Sequence, residues 1–171
     1  MAIAPSAVAR SVAAAEWHGP VQDQQMMAKG VYSFSTPGHG GIVAIVGVAE
    51  LTPESLAAAR ATGRIGLYVS IGGKSHSTSQ GFTREGLADW IERNSRFEAV
   101  QIEYWAGEED CEYATVMLGL SDKAFTKATT TDAKRMTIPA EEWLAQFGTR
   151  DYYRGVCARW SEDYLRALAY A

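Results

Sequence analysis

The first half of the chain contains short runs in which apolar and polar side chains alternate, a pattern typical of strands. Tyr32 and Phe34 alternate with serines, and an apolar run over 42–48 follows after a short turn. Pro37 and Gly38 fit a type II turn, so these two segments predict a hairpin. Two further strands are predicted from alternating residues: 65–71 and 100–104.

Helical spacing of apolar residues and strong start signals mark other segments. Thr52 is a good helix cap, Pro53 fits the first helical position and Gly63 should end that helix. A buried helix is expected directly after Asp110, which can cap it. Further helices are predicted over 6–17, 83–94, 139–148 and 151–170. Residues 20–30 and 123–136 are interpreted as connections, and 72–81 as a mobile glycine- and serine-rich loop.

The alternation of strands with helices predicts an α+β fold. We expect a small mixed sheet of about four strands, with helices packed against it and a helical C-terminus. The 171 residues, 47% of them hydrophobic, suit a single domain over 1–171. No run approaches the roughly 18 apolar residues that span a bilayer, so we expect no membrane association and a cytoplasmic location.

Charge and cysteine content narrow the partners further. The net charge of −4 provides no global field for nucleic acid or anionic lipid, so a nucleic-acid partner is not expected. Cys111 and Cys157 form neither a CxxC pair nor a zinc spacing with histidine. We therefore expect reduced thiols, no metal site and no cofactor.

Three segments carry a resemblance to a known group of proteins: Trp17–Gln22, Phe34–Ile42 and Glu108–Tyr113. In this order they resemble segments of an uncharacterised family of small proteins from phages, plasmids and other mobile elements of bacteria. The resemblance implies a genetic setting, that of an accessory protein in a bacterial host cell. It implies no particular reaction.

His39 is the first candidate for chemistry, because imidazole suits proton transfer near neutral pH and glycines surround it in the turn. In a small hydrolase or transferase, Asp110 would orient His39 and Cys111 would be a less favoured nucleophile. The alternatives are structural: His39 fixes its own turn, Asp110 caps a helix, and Cys111 is an inert core residue. The acids around Cys111 also oppose thiolate formation.

Binding residues are predicted around the same turn and the acidic segment. Asp110, together with Glu108 or Glu109, can also orient His39 or bind a divalent cation. The full set of predicted binding residues is Ser35, Thr36, Gly40, Gly41, Glu108 and Glu109.

The leading functional prediction is binding of another protein. Six acids and no basic residue occur over 98–112, which suits a basic protein partner, although a solvated face explains the acids equally well. A second prediction is an anion- or nucleotide-binding loop over 72–81. The C-terminal aromatics indicate core packing or a homo-oligomer interface: Tyr152, Tyr153, Trp160, Tyr164 and Tyr170.

Overall fold

The computed structural model describes residues 3–171 and confirms the α+β class. The strands are β1 (Asp23–Ala28), β2 (Val31–Ser35), β3 (Gly40–Ile45), β4 (Ile65–Ile71), β5 (Lys74–Ser77) and β6 (Ala99–Glu108). The helices are α1 (Pro5–Glu16), α2 (Pro53–Ala61), α3 (Arg84–Arg93), α4 (Tyr113–Gly119), α5 (Asp122–Ala133), α6 (Ala140–Phe147), α7 (Arg150–Trp160) and α8 (Glu162–Ala169). None of the described helices is long and apolar enough to cross a bilayer.

The sheet is larger and simpler than the sequence predicted. Its six strands lie in the order β1-β2-β3-β6-β4-β5, and every neighbouring pair is antiparallel. The prediction of a mixed sheet with about four strands was wrong in both respects. The two strands that it missed, β1 and β5, are the edges of the sheet, where one side of the strand has no partner strand and the apolar alternation is weak.

The segment 72–81 contains the turn to β5, the strand β5 and a short helical end, which corrects the prediction of a mobile loop. Gly72 and Gly73 have φ of +56° and +82°, as a two-residue hairpin turn requires. Ser77 and Gln80 then form a capping box around a short 3-10 helix. The glycines therefore serve the turn between β4 and β5.

Helices cover both faces of the sheet. On one face, α1 packs against Tyr32, Val43 and Tyr104. On the other, α2, α4, α5, α7 and α8 enclose a core around Trp105, which is fully buried and meets Tyr164 edge-on with ring centroids 5.5 Å apart. The sheet thus separates two regions of different composition, and each contacts the turn between β2 and β3.

Helix boundaries were predicted correctly where local capping decides them. The hydroxyl of Thr52 accepts a hydrogen bond from the Ser55 amide, Pro53 occupies the first turn of α2, and Gly63 adopts φ of +71° after its end. By contrast, α4 begins at Tyr113 after a turn, and no side chain caps it. The prediction that Asp110 caps this helix was therefore wrong, because the turn after β6 delays the start of the helix by two residues, from 111 to Tyr113.

The predicted connection 123–136 is mostly the helix α5. Its threonines lower the helix propensity of the segment. One face of the helix is nevertheless buried, with Ala124, Phe125, Ala128 and Thr129, and packing of this face against β1 stabilises the helix. The predicted helix 151–170 is two helices with a break at Ser161.

Candidate functional site

The three segments that carry the family resemblance meet in space. The Thr36 hydroxyl oxygen lies 3.4 Å from the Trp17 carbonyl oxygen. The Glu109 amide donates to the Gly40 carbonyl at 2.9 Å. Segments nearly seventy residues apart in the sequence are thereby joined at the β2–β3 turn, because β3 pairs directly with β6.

Thr36 stabilises the turn through hydrogen bonds. Its amide and its hydroxyl both donate to the His39 carbonyl, at 2.7 and 3.0 Å, and the side chain is buried. Gly38 does not have the positive φ of a type II turn, so that prediction was wrong. The Thr36 hydrogen bonds and the pairing of Ser35 with Gly40 close the two-residue loop instead.

Gly40 and Gly41 are required by close packing. A Cβ at Gly41 would collide with the Trp17 ring and with the carbonyl oxygen of Gly107. A Cβ at Gly40 would lie 2.5 Å from a carboxylate oxygen of Glu109 and 2.9 Å from the carbonyl oxygen of Phe34. These glycines let Trp17 and Glu109 lie against the backbone of β3.

His39 pairs with Glu108. The His39 Nδ1 and the Glu108 Oε1 are 2.7 Å apart, and both side chains are partly exposed. When Nδ1 carries the proton and donates it to this carboxylate, Nε2 is left as an acceptor toward solvent. Among residues 3–171, the contact with Glu108 is the one hydrogen bond that the His39 ring makes. Glu108, and not Asp110, is therefore the acid that orients the ring.

Asp110 and Cys111 lie in the turn between β6 and α4. Cys111 is half-buried, and burial raises the pKa of its thiol; the charges of Glu112, Glu108 and Asp110 raise that pKa further, against an opposing backbone hydrogen bond at Glu112. A raised thiol pKa leaves less nucleophilic thiolate near neutral pH.

Two adjoining cavities extend from His39 along the end of α1. The first has a volume of about 300 Å³ and is lined by Trp17, His18, His39 and Glu108. The second, of about 510 Å³, contains Arg64, Arg84, Tyr104 and Asp163 in its wall. Both are also lined by Glu16, Ala106 and Glu112, which connect them. We call the two cavities together the acidic groove.

The cations of the groove are already engaged. Arg64 donates to both carboxylate oxygens of Asp163, at 2.7 and 3.0 Å, and lies 3.6 Å from Glu112; its side chain is only 9% exposed. Arg84 donates to the Ile65 carbonyl at 2.8 Å. The positive charge in the groove therefore holds the wall together.

Glu16 is the unpaired charge of the groove. No ion pair or hydrogen bond engages its carboxylate among the described residues, although the residue as a whole is exposed. Desolvation raises its pKa, Glu112 raises it further, and His18 opposes both. His18 itself has φ of +47°, an uncommon conformation for a residue other than glycine.

Sequence reasoning named His39 and Glu108 but missed the rest of the groove. Glu16 ends a helix just before the first resemblance segment, and Glu112 lies inside the third, so proximity to those segments was the available signal. Nothing local in the sequence marked Arg64 or Asp163. They are joined only by the packing of α8 on α2.

Within residues 3–171, no group of three or more histidine, cysteine, aspartate or glutamate side chains is arranged to hold a metal ion. No protein-family model, curated protein or solved structure matches this chain. The chain is thus described by its own fold and site: it is an α+β protein with an open acidic groove at the end of an antiparallel sheet.

Proposed function

We propose that this protein acts by binding a basic segment of a partner protein in the acidic groove. The observation that carries the proposal is that Glu16 and Glu112 both line the two adjoining cavities, and that the charge of Glu112 raises the pKa of Glu16. A lysine or arginine side chain placed between them would neutralise like charges that the folded protein now holds close together.

The charge of the groove supports a cationic ligand. Four carboxylates line it, from Glu16, Glu108, Glu112 and Asp163, against two guanidinium groups, from Arg64 and Arg84, which leaves −2 with neutral histidines. The arginines are held by partners inside the protein, whereas Glu16 has no partner among the described residues and Glu112 has only the 3.6 Å contact with Arg64. The free capacity for ion pairing is therefore acidic.

We further propose that the protein is an accessory protein of a phage, plasmid or other mobile element, and that its partner is a host or element protein in the bacterial cytoplasm. The resemblance of its three converging segments supports this setting. The two unbridged cysteines fit a reducing compartment. A homo-oligomer remains a further proposal; of the C-terminal aromatics, Trp160 and Tyr170 are exposed, whereas Tyr153 and Tyr164 are core residues.

The test is capture of partners from a bacterial host with a groove variant and a matched control. Glu16→Gln with Glu112→Gln removes the proposed ion pairs, whereas Glu141→Gln with Glu142→Gln removes two exposed acids on α6. We expect wild type and the α6 variant to retain the same partner, and the groove variant to bind it at least about tenfold more weakly. Binding by the wild type should weaken strongly as salt is added. Equal binding by both double variants would exclude the groove.

A second candidate function rests on the 2.7 Å contact between His39 and Glu108. In this hypothesis His39 Nε2 takes a proton from a nucleophile in the 300 Å³ cavity, and Glu108 orients the ring, as in a small hydrolase or transferase. Asp110 and Cys111, which the sequence predicted to act with His39, then serve as controls for this hypothesis. His39→Ala and Glu108→Gln should abolish any activity found, and Asp110→Asn and Cys111→Ala should not; the reverse pattern would favour the original set.

A further inference from the structure

A separate cavity lies on the opposite face of the sheet, under the C-terminal end of α5. Its volume is about 410 Å³, within the range of small-molecule sites. Apolar walls come from Met27, Ile42, Tyr113 and Met136, and Asp132 lines it from the helix. None of its lining residues belongs to the acidic groove.

Asp132 has no partner inside the protein. Within the described chain, no hydrogen bond or ion pair reaches its half-buried carboxylate. Arg135, one turn further on, donates instead to Asp23 at 2.7 Å and to the Ser33 hydroxyl at 3.2 Å. Desolvation raises the pKa of Asp132, and Arg135 only partly opposes this. A carboxylate partly shielded from water without a hydrogen-bond donor carries a cost to the folded state.

Glu109 supplies a second carboxylate at the mouth of the same cavity. Its amide bonds to the Gly40 carbonyl at 2.9 Å, and its carboxylate lies against Gly40, where a methyl group would displace it. No ion pair engages this carboxylate among residues 3–171. The backbone of the turn therefore fixes where this charge lies.

We propose that this cavity binds a small organic cation, an amine or guanidine carried on an apolar body. The charged head would lie between Asp132 and Glu109, and the body would contact Met27, Ile42 and the Tyr113 ring. Arg135 also lines the cavity, but its guanidinium is engaged by Asp23, and the two carboxylates outnumber this one positive charge. An anion would be repelled, and a neutral apolar molecule would leave Asp132 without a donor.

The proposal is tested by thermal unfolding with matched probes. Tryptamine and phenethylamine carry the required amine; 3-ethylindole and indole-3-propionate have similar bodies with no charge or a negative charge. At ten times its dissociation constant, an amine should raise the Tm by about 3 to 6 °C. The neutral and anionic probes should have no effect.

Variants then locate the binding. Asp132→Asn is isosteric and should abolish the amine-dependent rise in Tm, and Glu109→Gln should reduce it. Asp89→Asn removes an exposed acid on α3 and should leave the rise unchanged. If neither amine raises the Tm of wild type at millimolar concentration, or if the rise persists in Asp132→Asn, the proposal is wrong.

The outcome is independent of the proposed function. Asp132→Asn should leave capture of a protein partner through the acidic groove unchanged, and Glu16→Gln with Glu112→Gln should leave the amine effect unchanged. Loss of the amine effect in the groove variant would show that the amine binds in the groove and would overturn the assignment to the Asp132 cavity.

Discussion

The acidic groove and the Asp132 cavity approach the same turn from opposite faces of the sheet, but their charges are arranged differently. In the groove, Arg64 and His39 each have a carboxylate partner at 2.7 Å. In the cavity, Asp132 has none among the described residues, since Arg135 is engaged elsewhere. The paired charges stabilise the wall of the groove and leave Glu16 for a ligand, whereas in the cavity it is the half-buried carboxylate of Asp132 that is available to a ligand.

The pleat of the sheet explains how one turn serves both regions. Successive residues of a strand point to opposite faces. Glu108, the last residue of β6, and Glu109, which follows it and whose amide still bonds to the Gly40 carbonyl, therefore enter different regions. Glu108 pairs with His39 in the groove, and Glu109 lines the cavity. A shift of one residue in the pairing of β3 with β6 would exchange these roles.

The strongest way to disturb both regions at once is to fill the space at Gly41. Gly41→Ala places a methyl group against the Trp17 ring and the Gly107 carbonyl, and backbone of a paired strand cannot retreat easily. We expect a loss of about 3 kcal/mol in the free energy of unfolding, measured by urea denaturation.

Gly38→Ala is the control for this change. Gly38 lies in the same turn, its φ is not positive, and a Cβ there would meet nothing within 4 Å. Its stability should stay within about 1 kcal/mol of wild type, or rise, because alanine restricts the unfolded chain. Equal losses in both variants would show that the turn backbone, and not the packing of Trp17, is sensitive.

A smaller effect on stability is expected when the ion pair between Arg64 and Asp163 in the groove is broken. Arg64→Met removes a guanidinium that is nine-tenths buried, but the side chain of its partner Asp163 is 60% exposed and stays hydrated. We therefore expect a loss of about 2 kcal/mol, below the usual cost of breaking a fully buried pair. Arg166→Met, which breaks the surface pair with Glu162, should cost about 0.5 kcal/mol or less. Similar losses would mean that the burial of Arg64 is unimportant.

The smallest effects should have opposite signs. Burial raises the pKa of Asp132, so its carboxylate destabilises the folded state at neutral pH, and this penalty disappears as the pH falls and the folded state takes up the proton first. Asp132→Asn should therefore stabilise the protein near pH 7, by less than about 1 kcal/mol, and the gain should vanish on acidification.

Asp163 provides the opposite case. The hydrogen bonds from Arg64 lower the pKa of Asp163, so its contribution to stability is present above the unfolded pKa and is lost as the pH falls through the folded pKa. Asp163→Asn should destabilise the protein near pH 7, also by less than about 1 kcal/mol because the group is solvated. Urea denaturation from pH 3 to pH 7 measures both, and shifts of the same sign would contradict the comparison.

Sequence reasoning succeeded where the signal is local. Thr52, Pro53 and Gly63 bound α2 as predicted, because capping and positive φ depend on adjacent residues. It failed for α5, whose threonines suggest a connection and whose buried stripe acts only against β1. It also failed at Asp110, since a turn of four residues intervenes before α4.

The sequence by itself determined the class of the fold and the position of the glycine-rich turn, and it identified His39 and Glu108 as candidate site residues. Only the tertiary structure decided that Glu108 orients His39, that Glu16 and Glu112 share a groove, and that Asp132 has no partner. The physical reason is that these contacts join distant segments through the register of β3 with β6 and through helix packing. Such contacts depend on the whole chain, whereas caps and turns depend on neighbouring residues.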